Sequence, residues 1–213
     1  MRTVVTKTPL RISLFGGGTD LASFYMKHTG HVLSMAISKY IYIKAEEVTD
    51  EKYHIEYEGR NEVADTLDNI KHEIARECIR LTGLQDKVRI VMSSDVTSKG
   101  SGLGTSSALT VGILNALYTY MEKPVTPEKL ASEACKLEIE ILKHPIGKQD
   151  QYIAAYGGAR HIIFHETGET EVVPVHNWEQ LRVLENRLIL FYSGIGRHAE
   201  EILKEQNLLT EQK

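Results

Sequence analysis

Cysteine is nearly absent: Cys78 and Cys135 are the only two in 213 residues. Two thiols cannot hold a structural zinc ion by themselves, and they make no disulfide framework. Positive charge is not in surplus either. Lys and Arg number 25 against 29 Asp and Glu, a net charge of −4, so no basic surface is predicted for a nucleic-acid backbone. No apolar run approaches the roughly 18 residues of a membrane-spanning helix. The first residues, MRTVVTKTPLRIS, are polar and alternating rather than secretory. These absences predict a cytoplasmic protein without nucleic-acid or membrane partners. What is present is ordinary for a folded domain: 42% apolar and 25% charged residues, which excludes disorder and collagen-like structure. The length suits one domain, or one domain and part of another.

Charge is unevenly placed. Residues 1–40 carry five bases and one acid, whereas residues 41–80 carry six bases and eleven acids, and 161–213 five and nine. The glycine-rich stretches lie in the less acidic parts, as expected if an anionic ligand binds near glycines while acids face solvent. Alternation predicts strands at 2–6 and 11–15 with Pro9 between them, and at 32–37, 41–47, 53–58 and 88–92. Helical spacing of Leu67, Ile70, Ile74, Cys78 and Leu81 predicts a helix stopped by Gly83. A second runs through Val111, Leu114, Leu117, Tyr118 and Met121. A third is N-capped by Thr126 with Pro127 first, its apolar face Leu130, Ala134, Leu137 and Ile141. A short helix at Gln149–Tyr156 ends at Gly157 and Gly158, and a hairpin at Glu166–Glu169 joins two strands. RLILFYSG reads as a buried strand, followed by a polar closing helix. Strands and helices mix without strict alternation, so the fold class is α+β.

The sharpest local signal is Lys99-Gly100-Ser101-Gly102-Leu103-Gly104-Thr105-Ser106-Ser107-Ala108. It follows a strand and opens a helix. Its glycines let a ligand approach the backbone closely, and the helix N-terminus offers free N–H groups and positive dipole to an anion. No Gly-Lys-[Ser/Thr] follows at Walker spacing, and the Rossmann pattern is incomplete. Residues 100–107 are therefore the predicted phosphate cradle.

Ser-Gly-Leu-Gly-Thr-Ser-Ser-Ala resembles the second motif of the GHMP kinases, the galactokinase, homoserine kinase and mevalonate kinase group. Two further stretches agree. Thr8-Pro9-Leu10-Arg11-Ile12-Ser13-Leu14-Phe15-Gly16-Gly17-Gly18-Thr19-Asp20 looks like the first motif, with an ending similar to the heptose-phosphate kinase branch and near the fucokinase pattern. Pro145-Ile146-Gly147-Lys148-Gln149-Asp150-Gln151-Tyr152 resembles the segment carrying the family's catalytic aspartate. The resemblance implies a two-layer N-terminal domain with a left-handed βαβ crossover, against the usual hand. It also implies an enzyme using ATP and Mg²⁺ to phosphorylate the anomeric hydroxyl of a heptose 7-phosphate, giving the 1,7-bisphosphate for nucleotide-activated heptose in surface polysaccharide. The alternatives are a fucokinase- or galactokinase-like enzyme, or an inactive nucleotide- and sugar-binding fragment or subunit.

The same resemblance implies roles. Asp150 would be the general base and Arg11 its electrostatic partner. Gly100, Ser101, Gly102, Leu103, Gly104, Thr105, Ser106 and Ser107 would hold the ATP phosphates. Gly17, Gly18, Thr19 and Asp20 would bind the sugar. Lys148 and Arg197, from their charge and nearby glycines rather than from the resemblance, are the cations expected to meet its phosphate. Mg²⁺ would be held by Ser107 and Glu138, twelve residues before the base, with Glu140 on the opposite flank left open. Nothing after Gly196 resembles the family's third motif. Residues 1–180 are thus expected to form the ATP- and sugar-binding domain and 181–213 the beginning of a truncated second domain. The apolar face left by that truncation is expected to drive self-association.

Overall fold

A computed structural model describes residues 2–96 and 101–191. Seven strands form one sheet against a layer of helices, confirming the mixed α+β class. The spine is β2 (Gly30–Glu47), a single long strand where two short ones were expected. Its first half pairs with β6 (Ala159–Phe164) and its second half with β5 (Val88–Ser94). Its other edge is taken throughout by β1 (Thr3–Phe15). The predicted break at Pro9 is therefore not a break. The register instead shifts between Pro9 and Arg11, and β1 pairs on one side only. A bulged edge strand tolerates the missing N–H of proline.

The pairing of β3 (Tyr53–Tyr57) with β4 (Arg60–Ala64) makes a hairpin, and β3 then lies parallel to β5. β4 was not foreseen. Its turn is Glu58-Gly59, both at positive φ, and Glu in the first position gives no Asn-Gly signal. β7 (Thr170–Pro174) completes the sheet beside β6, as the hairpin at Glu166–Glu169 predicted.

The short helix α1 (Ala22–Tyr25) follows the three glycines. The helix expected from Leu67 begins later: Leu67–Asn69 is a 3₁₀ turn, and α2 spans Glu73–Thr82, closed by Gly83 at φ +70. α3 (Thr105–Tyr120) is buried on nearly every side and lies across β1 and β2. Gly112 permits that approach, because a Cβ there would stand 2.9 Å from Thr8 Oγ1 and 3.1 Å from Ile43 Cγ1.

α4 (Pro127–Cys135) starts where Thr126 caps it and runs on as a π-helical stretch, Lys136–Ile141. The wider turn rotates its residues about the helix axis: Leu137 and Glu138 face inward, while Ile141, placed on the apolar face by the simple helical period, is exposed. α5 (Gln149–Tyr156) packs on α3 and α4. α6 (Trp178–Glu185) was not foreseen and contains the expected domain boundary at 180/181.

RLILFYSG is a correction for its described part. Leu188, Ile189, Leu190 and Phe191 form no strand and are exposed, Phe191 by 82%, because no described strand pairs with them and an apolar run without a partner has nothing to bury it. The rest of that segment, Gly100 of the loop, Arg197 and the closing helix lie outside the described residues.

Candidate active site

Three segments meet at the site: β1 at Arg11, the start of α3 and the start of α5. Arg11 leaves β1 and grips Asp150, the second residue of α5, with two bonds: Nε donates to Oδ1 at 2.6 Å and Nη2 to Oδ2 at 2.7 Å. Its remaining terminal nitrogen, Nη1, donates to the Gly102 carbonyl at 2.6 Å, and its backbone N–H donates to the Leu103 carbonyl. One guanidinium thus ties the carboxylate expected to be the base to the loop expected to hold phosphate. Such a planar fork fixes orientation as well as charge.

The loop closes on this pair. Gly104 is the N-cap of α3 at φ +74, and a Cβ there would lie 3.1 Å from Asp150 Oδ2 and 3.2 Å from Arg11 Cγ. Thr105, Ser106 and Ser107 form the first turn of the helix, where unpaired N–H groups gather. Ser101 Oγ is taken by the Leu103 N–H.

Glu138 comes from the π-helical stretch and is fully buried, at 0% exposure, whereas Glu140 faces solvent. Geometry thus separates the two glutamates that spacing left open. Ser106 Oγ donates to its Oε1 at 3.1 Å and Gln151 Nε2 to its Oε2 at 2.6 Å, with Ser107 as a second hydroxyl partner. Burial raises its pKa, and these three bonds and His144 oppose the rise. Among the described residues no Lys or Arg pairs with it. A buried carboxylate held by neutral hydroxyls and an amide suits a hard divalent cation, and Mg²⁺ takes few protein oxygens. Among the described residues no group of three or more His, Cys, Asp and Glu could hold a metal ion.

On the other side of Asp150 lies Asp20, 3% exposed. Its Oδ1 accepts from the Gly18 N–H at 3.0 Å and from Gln149 Nε2, and its Oδ2 from the Gln149 N–H at 3.1 Å. Burial raises its pKa, the Gln149 N–H lowers it, and the charge of Asp150 raises it further. Gly147 is required here, because a Cβ would fall 1.9 Å from Asp20 Oδ2. Gly18 borders this carboxylate, and Gly17 faces Ser13 and Gln149. Thr19 follows the three glycines. Its hydroxyl is bonded to the Gly16 carbonyl and to the backbone of His31, so it closes the glycine turn onto β2. Lys148 points its ammonium to the Gly168 carbonyl and over the Tyr25 ring, with no ion pair among the described residues.

Three contributors escaped the sequence reading. Gln149 aligns Asp20, Gln151 holds Glu138, and Gly147 makes room. All lie within the 145–152 segment, but sequence spacing does not tell which faces of α5 look inward. Nor did sequence indicate a cavity of about 850 Å³ beside Thr105 and Ser106, walled by Ile41, Tyr57, His72 and Met92. Its walls come from segments far apart in the chain.

The GHMP kinases N terminal domain family matches residues 63–158. The chain is 35% identical to the D-glycero-alpha-D-manno-heptose 7-phosphate kinase of Campylobacter jejuni, over 95% of this chain and 63% of that protein. It is 28% identical to the galactokinase of Pyrococcus furiosus, over 92% of this chain and 55% of that one. The chain therefore spans less than two thirds of either curated relative. The crystal structure of a D-glycero-D-manno-heptose 1-phosphate kinase from Bacteroides thetaiotaomicron superposes with a TM-score of 0.83 at 26% identity, covering 99% of this chain and 72% of that one.

Proposed function

Because the chain belongs to the GHMP kinase family, we propose that its site transfers the γ-phosphate of ATP to the anomeric hydroxyl of a heptose 7-phosphate. The observation that carries this reading is the Arg11 bridge, which joins the Asp150 carboxylate to the Gly102 carbonyl of the phosphate loop. A proton acceptor and a phosphate cradle must sit side by side for an in-line transfer, and here one side chain sets their spacing.

Asp150 takes the proton from the attacking hydroxyl; each of its oxygens keeps lone-pair capacity after accepting from Arg11. Arg11 offsets the negative charge that builds on the transferring group. Asp20, already aligned by Gly18 and Gln149, accepts from sugar hydroxyls. Lys148, held only by neutral partners, supplies the charge for the sugar's own phosphate. Glu138 and Ser107 would hold Mg²⁺, which when bound neutralises the triphosphate. The cavity beside Thr105 and Ser106 takes the nucleoside. The relative from Campylobacter jejuni, a heptose 7-phosphate kinase by name, supports the choice of sugar and, with it, a role in making activated heptose. In the same proposal the β3–α2–β5 connection is left-handed and residues 181–213 begin a second domain.

Asp150→Asn tests the core of this. Phosphoryl transfer to heptose 7-phosphate, followed as ATP consumption, should fall about 10²–10⁴-fold while ATP affinity holds. A variant with the wild-type kcat removes Asp150 from its role. Faster turnover of galactose than of heptose 7-phosphate overturns the substrate.

A further inference from the structure

His72 precedes α2 and caps it: its Nδ1 accepts the backbone N–H of Ala75 at 3.2 Å. A ring nitrogen that accepts carries no proton, so the neutral imidazole keeps its proton on Nε2. Burial favours that neutral ring, outweighing the pull of Glu62, Glu73 and Glu58. The ring stands edge-to-face against Tyr57, with centroids 4.5 Å apart at 81°. Both residues wall the cavity that opens beside Thr105 and Ser106. Among the described residues nothing accepts from Nε2, because the bonds of His72 run through its Nδ1 and its backbone.

A helix cap thus fixes the tautomer and orientation of a donor in a cavity where Ile41, Met92 and Leu109 supply apolar surface and Arg60, Ser93 and Ser94 further polar groups. Such a donor selects a ligand that brings an acceptor to the same depth. A phosphate group lodged on the first turn of α3 would carry its attached nucleoside into this space. We propose that His72 reads the nucleobase, its Nε2–H donating to a ring nitrogen or carbonyl oxygen of the base. The inference rests on the nucleotide reading of the loop and goes beyond it by naming the residue that recognises the base. Because the donor is oriented before the ligand arrives, little ordering cost is left for binding.

His72→Asn separates the two duties of the residue. Asparagine is a good N-cap and can still accept from Ala75, but it has no ring to reach the cavity. Calorimetry on the full chain with magnesium compares ATP with inorganic tripolyphosphate, which has no base. ATP should bind roughly 2–10-fold more weakly, the range for one neutral hydrogen bond. Tripolyphosphate affinity and Tm should be unchanged. His72→Ser, a second cap-forming substitution, gives the same readout if His72→Asn folds poorly. Unchanged ATP affinity, or an equal loss for both ligands, overturns the role of His72. If the wild-type chain binds neither probe, the phosphate-loop reading fails first and the inference falls with it.

Discussion

Asp20 lies under opposed influences: burial raises its pKa, three N–H donors lower it, and burial is the larger. A carboxyl that holds its proton more tightly when folded contributes less to stability as pH rises above its ordinary value of 3.8. Asp20→Asn removes that titration but sets an NH₂ against backbone donors, a loss of about 1–3 kcal/mol. Urea unfolding should therefore show a stability deficit that is larger at pH 5 than at pH 7.5. A deficit that grows toward neutral pH would mean that the N–H bonds dominate. Glu138→Gln acts on the other carboxylate. It removes a buried charge, and Gln151 can turn its amide so that Oε1, now without a partner, accepts the new donor. At pH 7 its Tm should equal or exceed that of wild type, while the extra Tm that magnesium adds to ATP should vanish. Retention of that increment would exclude Glu138 as the metal ligand. Both carboxylates were legible as candidates from motif and interval. Their partners were not, since Gln149 and Gln151 become meaningful only once α5 has a defined inward face.

At the scale of elements, the described residues of the turn from β5 into α3 contain two left-handed glycines of different kinds. A Cβ on Gly102 would meet nothing within 4 Å, whereas one on Gly104 presses on Asp150 and Arg11. Gly102→Ala should cost about 1–2 kcal/mol for the left-handed backbone alone. Gly104→Ala should lower Tm further and reduce kcat as well, because the Arg11–Asp150 pair must move. Equal effects in melting and turnover would show that the loop does not seat the pair. Elements with local punctuation were readable: Thr126-Pro127 for α4, Gly83 for the end of α2, the turn between β6 and β7. Elements set by long-range pairing were not. β1 and β2 each read as two strands because bulges reset the alternation, and their continuity comes from pairing with partners far along the chain. The π-helical stretch that turns Glu138 inward leaves no mark in a period of 3.6 residues.

Among the described residues the larger apolar cluster lies between the helices and the sheet. α3 contributes to it from one side and β2 from the other, and a second apolar cluster, around Tyr152, Ile162 and Phe164, continues it between α4, α5 and β6. Among the described residues no helix is long and apolar enough to cross a membrane. The Arg11 bridge has a bearing on how this molecule folds. It links positions 139 residues apart at Asp150 and 91 apart at Gly102, so closing it requires the first strand to meet a helix made from the far part of the chain. Contacts of such sequence separation are slow to form and bring no return until the intervening chain is in order. In stopped-flow refolding, far-ultraviolet dichroism should recover before the protein can bind a fluorescent ATP analogue, and Arg11→Ala should erase the late phase. The same arginine that joins Asp150 to Gly102 would then make competence for nucleotide a checkpoint on correct folding, reached only after the helices and the sheet have joined.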